Sequence, residues 1–427
     1  MGGAAWSNAA VTSLERVCDD ARAASRVLAR MSSHRKNVVL AEMAEAIERR
    51  AGEILRENRQ DVEAAKRAHA PPALVDRLYL DEDRVADMAE CCRKVAALPD
   101  PVGVSDRGRR LPNGLEVLRR RVPLGVVAAL YDARPAATVD AAALCLKSGN
   151  AVILRGSRTA LRSNRILVEM LTGAVLEADA PRSAFSLLGE DREELRRLVE
   201  REGLVDLVVA AVGEEVRGLL REHARVPVIA SVSGKNHVYV HADADVEMAL
   251  KIAVNAKVHR PGFCSAGETL LVHRDAAAAF LPGAAGRLGQ HGVQLRVSPE
   301  GLEVLGEAGG PVAEATEDDY GRDLPDTVMA VRVVDSLEQA LEHIARHGSG
   351  HSEAIVTRSL AAAREFQEAV DAAAVYVNAS TRFTAGDELG AGPQIGTSTQ
   401  KLHVRGPIGL EDLTTYKHLV TGDGHVR

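Results

Sequence analysis

Aromatic residues make up only 3% of this 427-residue chain, with a single Trp, so its core must be built from Ala, Val and Leu. Cysteine is scarce as well. The five are Cys18, Cys91, Cys92, Cys145 and Cys264. An odd number without metal-type spacing argues against a disulfide framework or a zinc site and points to a reducing compartment. No apolar run approaches the ~20 residues of a membrane span. The N-terminus has no charged-then-apolar signal pattern. The expectation is a cytoplasmic protein with no membrane partner. Neither sign of charge dominates: 53 Lys and Arg face 60 Asp and Glu, a net −7. Such mild acidity argues against nucleic acid as a partner. Two nucleotide cradles are also missing, since no GxGxxG follows the first strand of either predicted lobe and no GxxxxGK[ST] occurs.

What is present is a soluble, globular balance, 46% hydrophobic and 26% charged, in a chain too long for one core. The first hundred residues read as helices, with Val39, Leu40, Met43, Ile47 and Ile54 near helical spacing. A helix over 83–98 ends at Pro99 and Pro101. Residues 106–114 read as a polar, Arg-rich turn region closing on Asn113-Gly114, before a weak strand from Leu115. From Gly125 onward short apolar runs alternate with helical patterns. The strands fall at 126–130, 151–154, 184–188, 207–211 and 226–229. A second series follows, with strands at 237–240, 269–273, 328–334, 354–357 and 374–377. Strand–helix alternation implies parallel sheets with helices on both faces. The predicted class is therefore α/β, two lobes in series joined near 231–236. The last fifty residues, rich in Gly, Thr and Ser, are expected to wrap back over both.

Cys264 stands apart from the other cysteines, which lie in helical patterns typical of small buried residues. It sits in HRPGFCSAGETLLVH, where Arg260, Pro261 and Gly262 make an ordered turn between a helix and a strand. Backbone N–H groups and the charges of Arg260 and Lys257 would lower a thiol pKa there and make a nucleophile. A structural loop cysteine is the competing reading, and spacing alone does not decide between them.

The stretch NAKVHRPGFCSAGETLLVH resembles the active-site segment of the gamma-glutamyl phosphate reductases, within the aldehyde dehydrogenase superfamily. RRRVPLGVVAALYDARPAATVDAAALCLKSGNAVILRG is similar to that family's first sheet region. VYVNASTRF and STQKLHVRGPIGLEDLTTYKH are similar to its C-terminal signatures. The resemblance covers essentially the whole chain, in order. It implies an aldehyde-dehydrogenase-like fold: a cofactor-type lobe over 1–105 and 125–232, and a catalytic lobe over 233–377 carrying Cys264. An oligomerisation arm and C-terminal wrap fall at 106–124 and 400–427. It also implies a homo-oligomer, a small acyl phosphate as substrate, an amino-acid kinase that supplies it, and NADPH as cofactor.

Carried over residue by residue, the resemblance makes Cys264 the nucleophile that forms a thioester. Arg155 and Gly156 fall at the adenosine end of the cofactor, where a 2′-phosphate favours a cation, although a surface ion pair would also explain Arg155. Gly213 and Asp323 fall at further cofactor positions. Asn378, Ser380, Thr381 and Arg382 lie just past a predicted strand end, where ligands bind in open α/β sheets. Arg382 beside hydroxyls suits a carboxylate or phosphate. Lys401, His403 and Arg405 either bind substrate or pin the C-terminal wrap. Arg134 is a further substrate-binding candidate in the ARP turn and is equally compatible with a structural role.

Four departures from the family pattern fall at functional positions. Ala136 replaces an Asn expected to donate to the oxyanion, a loss of about 10²–10³ in rate. Glu214 and Glu215 replace a glycine-rich helix start and would repel a pyrophosphate. Asp323-Leu324 replaces a Glu-Phe pair, and Ser157 a second glycine. Two enzymatic readings follow. One is NADPH-dependent reduction of gamma-glutamyl phosphate or a close analogue through a Cys264 thioester. The other is a non-redox cysteine acyltransferase with a degraded cofactor site. A third and weaker reading, an idle partner that regulates a kinase, sits poorly with a retained Cys264.

Overall fold

The computed structural model describes residues 13–231, 234–306, 310–322, 324 and 327–427. It divides into two compact units. One runs to Ala230 and takes back Ala391–Gly396 and Ile408–Arg427; the other is Ser231–Gly390 with Thr397–Pro407. The C-terminal stretch is thus shared between the units in alternating pieces.

The first unit begins with capped helices. Ser13 accepts the Arg16 N–H ahead of Leu14–Leu28, Ser32 does the same for Ser33–Arg49, and Asp81 for Glu82–Ala97. Each such cap satisfies a backbone donor that the helix cannot, worth about 1 kcal/mol. The sheet of this unit is wholly parallel. Its spatial order is Phe185–Leu187, Ala151–Arg155, Val126–Tyr131, Leu207–Ala211, Val228–Ala230. The central strand Val126–Tyr131 is buried at every residue, as its unbroken apolar run requires.

Of the segment read as a polar turn, residues 111–114 form the turn of a hairpin at Asn113-Gly114, but the residues before them are a strand. Ser105–Arg110 pairs antiparallel with Glu116–Pro123, which pairs in turn with Thr414–Thr421. Arg119 and Arg121 both stack on the Tyr416 ring. The first strand shows no period-2 pattern, because all its residues are exposed.

The second unit carries seven parallel strands in the order Val312–Glu314, Gln294–Val297, Val328–Val334, Gly267–His273, Asn236–Val240, Ser352–Val356, Ala374–Val377. Gln294–Val297, four residues long, and Val312–Glu314, three residues long, had no counterpart in the sequence reading. Phe280, Leu281, Leu270, Val331 and Ala354 are among the residues closing the main core of this unit. Among the described residues no helix is long and apolar enough to cross a membrane.

Candidate active site

Cys264 lies between helix Val246–Val258 and strand Gly267–His273, at the N-terminal edge of the seven-stranded sheet. The loop turns at Arg260, which adopts a left-handed φ of 58°. Phe263 then donates its N–H to the Arg260 carbonyl at 3.2 Å, and Ala266 to that of Phe263 at 2.9 Å. Cys264 is half-buried, while the other four cysteines are buried. Burial raises the Cys18 thiol to about 11 and the Cys92 thiol to about 12, so neither serves as a thiolate near neutrality.

Asn236, the first residue of its strand, holds the loop from below. Its amide nitrogen donates to the carbonyls of Cys264 at 2.8 Å and Ala266 at 2.7 Å. Its amide oxygen accepts the Ser352 N–H at 3.1 Å. Gly234 packs so closely that a Cβ there would stand 1.7 Å from the Cys264 carbonyl oxygen. Only glycine fits that approach.

The turn after the last strand holds the loop from the side. Thr381 Oγ1 donates to the Ser265 carbonyl at 2.8 Å, and the Arg382 guanidinium donates to Ser265 Oγ. Arg260 and Arg382 both lie over the Phe263 ring, at 5.3 and 5.1 Å. Burial lowers the Arg382 pKa; the Cys264 sulfur opposes this and the Arg260 charge adds to it. Arg382 therefore shares an electrostatic field with the sulfur. Its Nε is buried and has no partner within the protein.

Two expectations are corrected by this geometry. Lys257 is not a cation for the thiol: it is fully buried and paired with Glu268 at 3.1 Å. Arg382 supplies that charge instead. The 378–382 turn is not a site at strand C-terminal ends either. Asn378 sits there, in a left-handed conformation with φ 55°, and both ends of its amide close on the Thr357 backbone. The chain then runs back to the N-terminal edge, where Thr381 and Arg382 meet Ser265. Ser380 caps the short turn by accepting the Arg382 N–H at 3.3 Å. Lys401 and Arg405 both pair with Asp371, and His403 is exposed. Of the substrate-binding candidates, the structure gathers Thr381 and Arg382 directly onto the cysteine loop.

Sequence reading missed Asn236, Gly234 and the His351-Ser352 pair. The only signals were a glycine before Lys235-Asn236 and the glycine-rich HGSGHSE run. Each residue acts across more than twenty positions of sequence, so no local period marks it.

In the first unit, Arg155 ends its strand at the C-terminal edge of the five-stranded sheet. Its guanidinium donates to the Glu190 carbonyl at 3.1 Å, and its Nε is buried without a partner. Burial lowers its pKa, and Arg192 adds to the effect. Gly156 is required by packing, because a Cβ would stand 2.1 Å from the Asn164 amide nitrogen. Ser157 caps the following turn. Gly213 precedes helix Glu214–His223. At that helix start, Glu214 is paired with Arg217 and Arg221, and Glu215 with Arg192. Arg134 pairs with Asp140 at 2.8 Å, and Ala136 opens helix Ala136–Lys147. Asp323 lies outside the described residues. An open cavity of about 710 Å³ in the second unit is lined by Glu317, Asp318, Gly321, Arg322, Arg346 and His347, none of which holds the cysteine loop. Among the described residues no group of His, Cys, Asp and Glu could hold a metal ion.

A half-buried cysteine on a tightly held loop, in a chain of two parallel-sheet units, defines a class, and comparison with known proteins agrees. The family model described as "Aldehyde dehydrogenase family" matches residues 3–297. A gamma-glutamyl phosphate reductase of Moorella thermoacetica is 49% identical over 95% of this chain and 97% of its own. One from Caldanaerobacter subterraneus is 46% identical over 95% and 98%. The crystal structure of gamma-glutamyl phosphate reductase from Thermotoga maritima superposes with a TM-score of 0.90 at 39% identity, covering 97% of this chain and 99% of that one. The chain belongs to the aldehyde dehydrogenase family, within its gamma-glutamyl phosphate reductase branch.

Proposed function

We infer that this chain reduces gamma-glutamyl phosphate, or a close acyl phosphate, to the semialdehyde through a thioester on Cys264. The observation that carries this reading is the Cys264 loop, half-buried and fixed by Asn236, Thr381 and Arg382, in a chain 49% identical to a reductase of that name. The Cys264 sulfur attacks the acyl carbon, and the bond to the phosphate oxygen breaks with its electron pair leaving on phosphate. Arg382 holds the anionic part of the substrate beside the sulfur through its unpartnered Nε–H. The loop hydrogen bonds keep the sulfur from drifting, and a displacement of about 1 Å costs on the order of 10² in rate.

When bound, NADPH supplies the hydride that reduces the thioester. The chain's residues fit this cofactor at its adenosine end. Arg155 offers a half-buried cation with a free Nε–H to a 2′-phosphate, and Gly156 lets the backbone turn tightly against Asn164 and Tyr131. The carboxylates of Glu214 and Glu215 are each paired with arginines, which offsets part of their charge toward a pyrophosphate. The named relatives favour the reductase over the non-redox acyltransferase reading, which was motivated by the departures at Ala136, Ser157, Glu214-Glu215 and Asp323-Leu324. Homo-oligomeric assembly, supply of substrate by an amino-acid kinase and a cytoplasmic setting belong to the same proposal.

The test is a coupled assay in which a kinase, ATP and glutamate generate the acyl phosphate. NADPH oxidation is expected with the wild-type chain and its loss with Cys264→Ala. Equal oxidation by both would remove Cys264 from the mechanism.

A further inference from the structure

His351 is fully buried, yet half of its imidazole is unused. Nδ1 lies 2.7 Å from Ser352 Oγ. Ser352 Oγ lies 2.5 Å from Thr384 Oγ1, and Thr384 Oγ1 2.8 Å from the Tyr376 hydroxyl. Nε2 is buried with no partner within the protein. Burying an unpaired polar atom costs about 1–3 kcal/mol, so such an atom calls for a function.

The position of this histidine points to one. The Ser352 N–H is bonded to Asn236, and Asn236 also grips the Cys264 carbonyl. Thr384 belongs to the same turn as Thr381 and Arg382, which grip Ser265. Arg382, whose charge reaches His351, has its own buried, unpartnered Nε. His351 and Arg382, each with a buried unpartnered nitrogen, thus belong to the residues that hold the nucleophile loop or are bonded to its holders. The hydroxyl chain decides what the imidazole can present. In one of its two directions, Tyr376 donates to Thr384, Thr384 to Ser352 and Ser352 to Nδ1, and Nε2 then carries the proton and is a donor; the other direction makes Nε2 an acceptor.

We propose that His351 is a substrate-binding residue: its Nε2–H and the Arg382 Nε–H together receive the phosphate group of the acyl phosphate. This rests on the reductase reading above and adds a residue to that site. A phosphate offers acceptors, which is what two unspent donors require. The imidazole works here as a neutral donor and not as an acid. Burial, aided by the Arg382 charge, pushes its pKa down to about 4, so it carries no charge at neutral pH. The other groups facing it, Ser352, Thr384 and Tyr376, are uncharged near neutrality, and burial raises the Tyr376 pKa.

Inorganic phosphate is the probe, and alkylation of Cys264 by iodoacetamide, followed by intact mass, is the readout. The other four cysteines are buried and react slowly. Phosphate is expected to protect wild-type Cys264. His351→Gln places an amide near the Nε2 position and should retain protection. His351→Asn keeps only the Nδ1 position, and half-protection should need roughly 10-fold to 100-fold more phosphate. Ser352→Ala, which frees the tautomer, should fall between. Circular dichroism confirms that each variant is folded, and the Gln and Asn variants differ by one methylene. Equal protection in the Asn and Gln variants overturns the proposal, as does a wild type that reduces acyl phosphate but is not protected. Protection of a wild type that oxidises no NADPH would sink the reductase reading and leave the phosphate site standing.

Discussion

Arg155 and Arg382 are alike in themselves and opposite in placement. Each is a half-buried guanidinium whose pKa burial lowers, and each has a buried Nε that nothing in the protein uses. Arg155 closes a strand at the C-terminal edge of its parallel sheet, where open α/β sheets bind ligands. Arg382 follows a strand by several residues but is carried back to the opposite edge, where Gly267, Asn236 and Ser352 begin their strands. A rule about strand ends therefore locates the first arginine and misleads about the second. What places Arg382 is a return loop pinned at Asn378 and again at Thr381.

The largest effect that would sharpen this contrast is at Arg382. Arg382→Ala should lower kcat/KM for the acyl phosphate by about 10²–10³, because it removes the cation beside the sulfur. Steady-state assays with saturating NADPH read it, and a loss confined to the cofactor KM would show that the two arginines have been assigned the wrong way round. Gly234→Ala comes next. The added Cβ collides with the Cys264 carbonyl, so turnover should drop by about 10² while the fold persists, as kinetics and a thermal melt together would show. Arg155→Ala should be smaller and selective. It should raise the NADPH KM by about 10-fold and leave that for NADH nearly unchanged, the loss of one charged hydrogen bond. An equal rise for both nucleotides would place Arg155 away from a 2′-phosphate.

The smallest effect concerns acid stability. Burial holds His351 neutral with a pKa near 4, against the usual 6.5. Its folded pKa is depressed, so the unfolded chain takes up the proton first. The stability it contributes is complete above pH 6.5 and declines as pH falls toward 4, by about 1.4 kcal/mol per pH unit. Urea denaturation between pH 7 and 4.5 should show a shallower decline for His351→Gln than for the wild type.

Much of the architecture was legible because buried parallel strands announce themselves. Val126–Tyr131, Val328–Val334 and Ala374–Val377 are apolar runs bounded by polar turns, and their positions could be read directly. Ser105–Arg110 could not, because a strand exposed on every residue carries no burial pattern. The site divides the same way. Cys264 was legible from the turn residues around it and from its family segment. Lys257 misled, because a lysine seven residues away looks available until Glu268 is seen beside it. Asn236 and His351 were invisible, since their roles exist only after distant strands pair.

The central claim is most directly tested by mixing the wild-type chain with enzymatically generated gamma-glutamyl phosphate, first without and then with NADPH. Intact mass is recorded before the nucleotide is added, and absorbance at the nicotinamide band afterwards. The account predicts an acyl adduct on Cys264 that disappears as NADPH is oxidised in equal amount, and no adduct on Cys264→Ala. An adduct that persists while NADPH is untouched would contradict it.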